Sequence, residues 1–256
     1  MGLFDKKYCD VCGERIGLLG NRKLEDGNLC KDCARKLSPW FSERRNSSVN
    51  EIKRQLEYRE ENRGRVESFH ITRTLGSGTK LLLDEDAGLF MVTSAKNIAE
   101  ANPDVLALSD VTGCTLDVEE SSKELLHEDK DGNEVSYNPP RYEYSYDFYI
   151  IVNVNNPYFN EMRFRINPNS VEISPPPSIR PGVTLRFNPE TNAEYKKYKQ
   201  LGEEIRQILV KVRDDVREKI EQAAAPKTAV SCPYCGATTT PDASGCCEYC
   251  GGALMG

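Results

Sequence analysis

Hydrophobic and polar positions alternate most regularly between Tyr142 and Val154. Tyr142, Tyr144, Tyr146, Phe148, Ile150, Val152 and Val154 fall on one side, and Glu143, Ser145, Asp147 and Asn153 on the other. A period of two over that length predicts an antiparallel strand with one face buried and the other mostly wet. Weaker strand signals flank it. His70–Leu75 ends at Gly76-Ser-Gly78, Lys80–Leu83 and Leu89–Val92 bracket a turn over Asp84–Gly88, and further strands are expected at Val111–Val118, Met162–Ile166 and Val183–Phe187. Pro175-Pro-Pro177 and Pro181-Gly182 read as loop punctuation. From Asn192 the period changes to that of a helix. Tyr195, Tyr198, Leu201, Ile205, Ile208, Leu209, Val212, Val216 and Ile220 form one stripe, predicting a helix to about Ala224. Gly202 within it costs about 1 kcal/mol relative to Ala and marks a bend or a close approach. Core packing against the sheet is the simpler reading of the stripe; beyond Val212 a coiled-coil or partner-binding use stays open.

Before the strands, Ser48-Val-Asn-Glu51 has the spacing of a capping box and starts a helix expected to run to about Glu67. Its apolar positions, Val49, Ile52, Leu56 and Val66, are too sparse for a core helix, so it reads as a solvated spacer packed on one side. Several antiparallel strands followed by one long amphipathic helix resemble, in element order alone, a pleckstrin-homology or GRAM-like β-domain. That likeness covers about half the chain, rests on no specific motif and does not by itself imply lipid binding.

Composition sets the class. The chain has 256 residues, 38% hydrophobic and 29% charged, which describes a polar, globular protein. No apolar run approaches the roughly 20 residues of a membrane span. Met1–Lys7 lacks the apolar stretch of a signal peptide, and Lys6 stands where a myristoylation motif wants Ser or Thr. A formal charge of −6 gives no global attraction to nucleic acid or anionic lipid.

The cysteines carry the chemistry. Eight of the ten form four Cys-x-x-Cys pairs confined to the two ends. With no export signal, metal thiolates fit better than disulfides. In the first module Cys9, Cys12 and Gly13 are followed, after a hairpin turning at Asp26-Gly27, by Cys30 and Cys33 on a short helix that stops before Pro39. In the second, Cys232 and Cys235, the latter followed by Gly236, precede Cys247, Cys250 and Gly251, with 11 residues between Cys235 and Cys247, and both pairs end Tyr-Cys-Gly. Two such turns supply the four tetrahedral corners that zinc requires. The expected ligands are therefore Cys9, Cys12, Cys30 and Cys33 for one Zn²⁺, and Cys232, Cys235, Cys247 and Cys250 for another. A thioredoxin-like use of Cys-x-x-Cys needs a βαβ context that neither module has room for. Cys246 reads as a spectator that could replace Cys247 with a changed turn, and Cys114 as a buried small hydrophobe.

The opening Met1–Gly20, with Gly27–Ala34, Tyr137–Asp147 and the C-terminal ribbon, resembles an uncharacterised bacterial family with a short N-terminal four-cysteine domain, domain of unknown function 4428. The resemblance implies zinc binding and a bacterial cytoplasmic location, and no activity.

The expected organisation is an α+β chain: a treble-clef-like zinc module over 1–45, the spacer helix over 46–68, the antiparallel β-domain with its C-terminal helix over 69–224, a linker over 225–231 and a zinc ribbon over 232–256. An enzyme is not expected, because there are only two histidines, His70 and His127, and no nucleophile elbow, P-loop or HExxH motif. The sequence points instead to a non-catalytic, cytoplasmic protein-interaction or scaffold module with two structural zinc ions. A nucleic-acid-associated zinc ribbon is the alternative and membrane-surface association the third. Residues 1–45 hold ten Lys/Arg against seven Asp/Glu, with Arg35, Lys36, Arg44 and Arg45 the basic cluster, whereas Ser231 onward holds Asp242 and Glu248 and no Lys or Arg.

Overall fold

Short strands and a one-and-a-half-turn helix open the chain because its turns are too frequent for longer elements. In the computed structural model, which describes residues 6–174, 187–224, 229–242 and 245–254, β1 (Lys7–Tyr8) pairs with β2 (Arg15–Ile16), and β3 (Arg22–Lys23) with β4 (Asn28–Leu29). The expected turn at Asp26-Gly27 is present, closed by the Leu24 N–H donating to Gly27 O at 2.9 Å. Helix α1 (Lys31–Lys36) follows, capped by Cys30. The chain forms two compact units, Met1–Asp214 and Asp215–Gly256.

Helix α2 (Val49–Ser68) begins at the capping box read from sequence: the Ser48 side chain accepts from Glu51 N–H, and the Glu51 carboxylate accepts from Ser48 N–H. The hairpin turn adds a further cap, Val49 N–H to Asp26 Oδ1 at 2.7 Å. The residues that α2 buries are Ile52, Gln55, Arg59, Asn62 and Val66, a stripe at helical spacing whose centre is polar. Its ends enter two apolar clusters. Ile52 joins Ile16, Leu24, Leu29 and Leu37 of the first module. Val66 joins Leu82, Met91 and Val105 of the following sheet.

Between those clusters the polar centre is fully matched at Arg59 and Asn62. Arg59 pairs through Nη1 with Asp104 Oδ1 at 2.7 Å, donates through Nε to Lys36 O at 3.2 Å, and donates through Nη2 to Asn102 O. Asn62 donates to Asn102 Oδ1 and Pro103 O at 2.8 and 2.7 Å and accepts from Val105 N–H at 2.9 Å. Ser38 Oγ donates to the other Asp104 oxygen at 2.8 Å. Buried polar groups are costly unless paired in this way; Gln55 of the same stripe is the exception, its amide finding no hydrogen-bond partner among the described residues. The helix read as a solvated spacer is thus a joint, tying the segment after α1 to the loop that ends α3 (Ile98–Ala101).

Two four-stranded antiparallel sheets make up most of the rest of this unit. The first has the order β5-β6-β7-β8, with β5 Arg73–Leu75, β6 Lys80–Asp84, β7 Leu89–Thr93 and β8 Leu106–Ala107. Leu81–Asp84 and Phe90–Thr93 are buried without alternation, which requires cover on both faces. In the second sheet β9 (Val111–Glu128) pairs along most of β10 (Glu134–Val154). The other edge of β10 takes β12 (Val171–Ile173) at Tyr144–Tyr146 and β11 (Glu161–Arg165) at Tyr149–Asn153. The alternation read from sequence holds from Tyr146 to Val154, whose even-numbered side chains are buried, whereas Tyr142 is 41% exposed. There β9 and β10 run on as a two-stranded arm that the other strands of the sheet do not flank.

Helix α4 (Ala193–Ala224) covers the buried face. Asn192 Oδ1 caps it, accepting from Glu194 and Tyr195 N–H at 2.8 and 3.0 Å. Tyr195, Tyr198, Ile205 and Leu209 are buried, and the Tyr195 ring meets Tyr146 and Phe148 edge-on at 5.0 and 5.1 Å. Gly202 marks a close approach: a Cβ there would lie 2.5 Å from Leu116 Cδ1 and 3.2 Å from its Cγ. Gly202→Val is therefore expected to destabilise the chain by about 1–3 kcal/mol through overpacking, measured as a lower urea midpoint with unchanged metal content. The side chains of Val212, Val216 and Ile220 and the strand expected at Val183–Phe187 (Phe187 itself excepted) lie outside the described residues. In the second unit β13 (Val230–Ser231) pairs with β14 (Thr238–Thr239). No helix among the described residues is long and apolar enough to cross a membrane.

Candidate metal centres

Three of the four Cys-x-x-Cys pairs adopt one turn. The first cysteine N–H donates to the carbonyl five residues on, and the glycine after the second cysteine donates back to the first cysteine's carbonyl. The pairs are Cys9 N–H to Glu14 O with Gly13 N–H to Cys9 O, Cys232 to Ala237 with Gly236 to Cys232, and Cys247 to Gly252 with Gly251 to Cys247, all 2.8–2.9 Å. Gly13, Gly236 and Gly251 have φ of 76°, 70° and 70°, a region that favours glycine, which is why each pair is followed by one. The fourth pair is built differently. Cys30 is the N-cap of α1, its sulfur accepting from Cys33 N–H at 3.3 Å, so the helix start sets the spacing.

These turns bring together the eight residues singled out from sequence. The sulfurs of Cys9, Cys12, Cys30 and Cys33 lie within 4.8 Å of one another, and so do those of Cys232, Cys235, Cys247 and Cys250. Within them the Cys12–Cys30, Cys232–Cys250 and Cys235–Cys247 sulfurs are 3.7, 3.6 and 3.7 Å apart. A disulfide would need about 2.05 Å. Four sulfurs about 2.3 Å from a tetrahedral zinc stand roughly 3.8 Å from one another. Each group can therefore hold one metal ion in a shell that its own four sulfurs complete. The second group uses Cys247 and not its neighbour Cys246, which instead bridges to Ala253.

The backbone prepares the sulfurs for charge unequally. Burial raises the Cys9 thiol, but N–H groups of Cys12, Cys30 and Val11 outweigh it and bring it down to about 7. Cys232 is likewise raised by burial and brought down to about 7 by Cys235 and Tyr234 N–H. Their companions move the other way. Cys33 is pushed up by burial and by contact with Cys12 and Cys30. At Cys250 the Gly252 N–H lowers the thiol, yet contact with Cys235 and Cys232 takes it to about 12. Crowded thiolates repel, so four cannot ionise together without a cation among them. The donor set fits a divalent, thiophilic metal.

The family comparison falls on the first of these four-cysteine clusters. Residues 7–55 match the family model of a domain of unknown function, DUF4428. The match spans all four cysteines of the first module, both short hairpins, α1 and the first two turns of α2, and it ends at residue 55. The likeness read from the opening residues holds for this segment. No curated protein and no solved structure matches the chain.

The other singled-out residues do not assemble into a site. Cys114 on β9 is pushed up to about 12 by burial, which leaves it inert. Asp84 is buried and caps its own turn, accepting from His70 and Ala87 N–H at 2.9 and 3.0 Å. The His127 ring rests on Tyr137, 4.6 Å between centroids. In the basic cluster Arg35 pairs with Asp32, and Arg44 donates to Lys23 O.

Proposed function

We propose that the chain is a zinc-dependent, non-catalytic protein-interaction module located in the cytoplasm. The observation that carries it is the completeness of both four-sulfur shells, which leaves no coordination position for water or substrate. On this reading the first module is a treble clef, one knuckle facing a helix start across a hairpin, and the second a zinc ribbon of two matching knuckles. Two four-stranded sheets followed by α4 support a pleckstrin-homology-like body. Both zinc ions maintain shape and perform no chemistry.

A second reading, association with nucleic acid, draws on one feature. The Arg44 guanidinium is brought below its ordinary value by burial and by the nearby charges of Arg22 and Arg45, so three cations crowd the β3 side of the first module. Membrane-surface association through the body is the third. Affinity capture from the native host on the full, zinc-loaded chain separates them. A stoichiometric protein that survives nuclease treatment is expected. Recovery of nucleic acid alone, with affinity falling steeply in salt, overturns the interaction reading, and co-flotation with anionic vesicles in place of a protein partner favours the third.

A further inference from the structure

We propose that the C-terminal module is a docking face for a partner segment rich in arginine or lysine, an assignment that rests on the interaction reading and names its chemistry. Because its two knuckles share one hydrogen-bonding pattern, Tyr234 and Tyr249 occupy the same slot, the residue before the second cysteine. Both rings face solvent, 72% and 73% exposed. Neither belongs to the module's buried residues, which among those described are Cys232, Thr239 and Cys247. The Tyr234 ring lies against Gly252 so closely that a Cβ there would come within 2.5 Å of its Cδ2. A large ring already fixed to rigid backbone loses little entropy on binding, which is what an interface anchor requires.

The electrostatics decide the occupant. Ser231–Gly256 contains Asp242 and Glu248 but no Lys or Arg. A zinc ion with four thiolates adds about −2. Glu248 directly precedes Tyr249 and is exposed. Elsewhere in the chain tyrosines take guanidinia of their own, Arg163 at 3.9 Å over Tyr149 and Arg141 at 4.1 Å over Tyr137. Among the described residues neither Tyr234 nor Tyr249 has a cation over it, and their module has none to give. A negative field around two aromatic faces selects cations through charge and cation–π attraction together, favours planar guanidinium over ammonium, and repels phosphate backbones and acidic peptides.

The test is calorimetric titration of the full, zinc-loaded chain with short oligo-arginine, oligo-lysine and oligo-glutamate peptides and a single-stranded RNA, with amide shifts recorded by NMR. Oligo-arginine is expected to bind tightest and oligo-glutamate and RNA not at all, with shifts centred on Tyr234 and Tyr249. Tyr234→Ala with Tyr249→Ala should weaken oligo-arginine binding at least about tenfold while two zinc ions are retained. As Tyr234 also packs on Gly252, Tyr249→Ala alone and Glu248→Lys serve as variants that spare this contact, each expected to weaken binding about threefold or more. Binding of the double variant within about twofold of the parent, shifts confined to residues before Asp215, or stronger binding of RNA overturns the proposal. Should a captured cellular partner bind the double variant unchanged, the docking face falls while the interaction reading stands.

Discussion

Removing the metal with a strong chelator is expected to abolish the structure of residues 229–242 and 245–254 and to loosen the first module. Among its described residues the second module has almost no apolar core of its own: its buried side chains are Cys232 and Cys247 of the four-cysteine cluster, and Thr239. Structural zinc in such small shells contributes about 10–16 kcal/mol, so most of the module's folding free energy comes from the metal. In the first module Cys9, Cys30 and Cys33 belong to the same buried cluster as Ile16, Leu24, Leu29, Leu37 and Ile52. Loss of that metal is therefore felt at the start of α2. Elemental analysis of the purified chain should give close to two zinc per chain. Cys232→Ala and Cys33→Ala should each reduce it to one, with amide-exchange protection lost in the module concerned. Iron in place of zinc, or a chelated chain that keeps its protection at both ends, would contradict this.

Arg59→Ala should be the most damaging single substitution away from the cysteines, costing about 3–5 kcal/mol. It leaves the Asp104 carboxylate, whose side chain is 0% exposed, without its counter-charge, and strips donors from Asn102 O and Lys36 O. Arg59→Lys is expected to rescue little, because an ammonium cannot serve three acceptors in that planar arrangement. Burial already pushes the Asp104 carboxyl above its ordinary range, with the Arg59 charge the first opposing influence. Taking that charge away raises it further. A carboxyl raised in the folded state favours folding below its unfolded value, about 4, and loses that contribution as pH rises through the folded value. The penalty of Arg59→Ala should accordingly grow from pH 4 to pH 7. Urea midpoints across that interval measure it, and a penalty that shrinks with rising pH would remove Asp104 as the cause. Arg59→Met with Asp104→Leu should recover part of the loss by removing both buried charges.

The two four-cysteine clusters were legible in the sequence because their constraint is local. A Cys-x-x-Cys-Gly turn is specified by five consecutive residues, and the helix start at Cys30 by a few more. The same holds for the capping box at Ser48 and Glu51. The role of α2 was not legible. Gln55, Arg59 and Asn62 occupy its buried face, so a search for apolar periodicity sees a solvated helix, and most of the groups that Arg59 and Asn62 bind lie some forty residues away. The arm of β9 and β10 escaped for the opposite reason. Most residues from Glu119 to Glu128 are exposed, so the pattern that betrays a half-buried strand is missing where the hydrogen-bonded ladder continues. Tyr142 was assigned to the right strand and the right parity but lies beyond the part of it that α4 covers.

The family match stops inside a helix. Residue 55 falls inside α2, after Ile52 has joined the first module and before Arg59 and Asn62 engage the loop from Asn102 to Val105. One continuous helix therefore serves both sides of that boundary: its opening turns pack into the four-cysteine segment, and its remainder binds the sheet-bearing body. In this chain the second attachment is made in hydrogen bonds, which accept one register and refuse its neighbours.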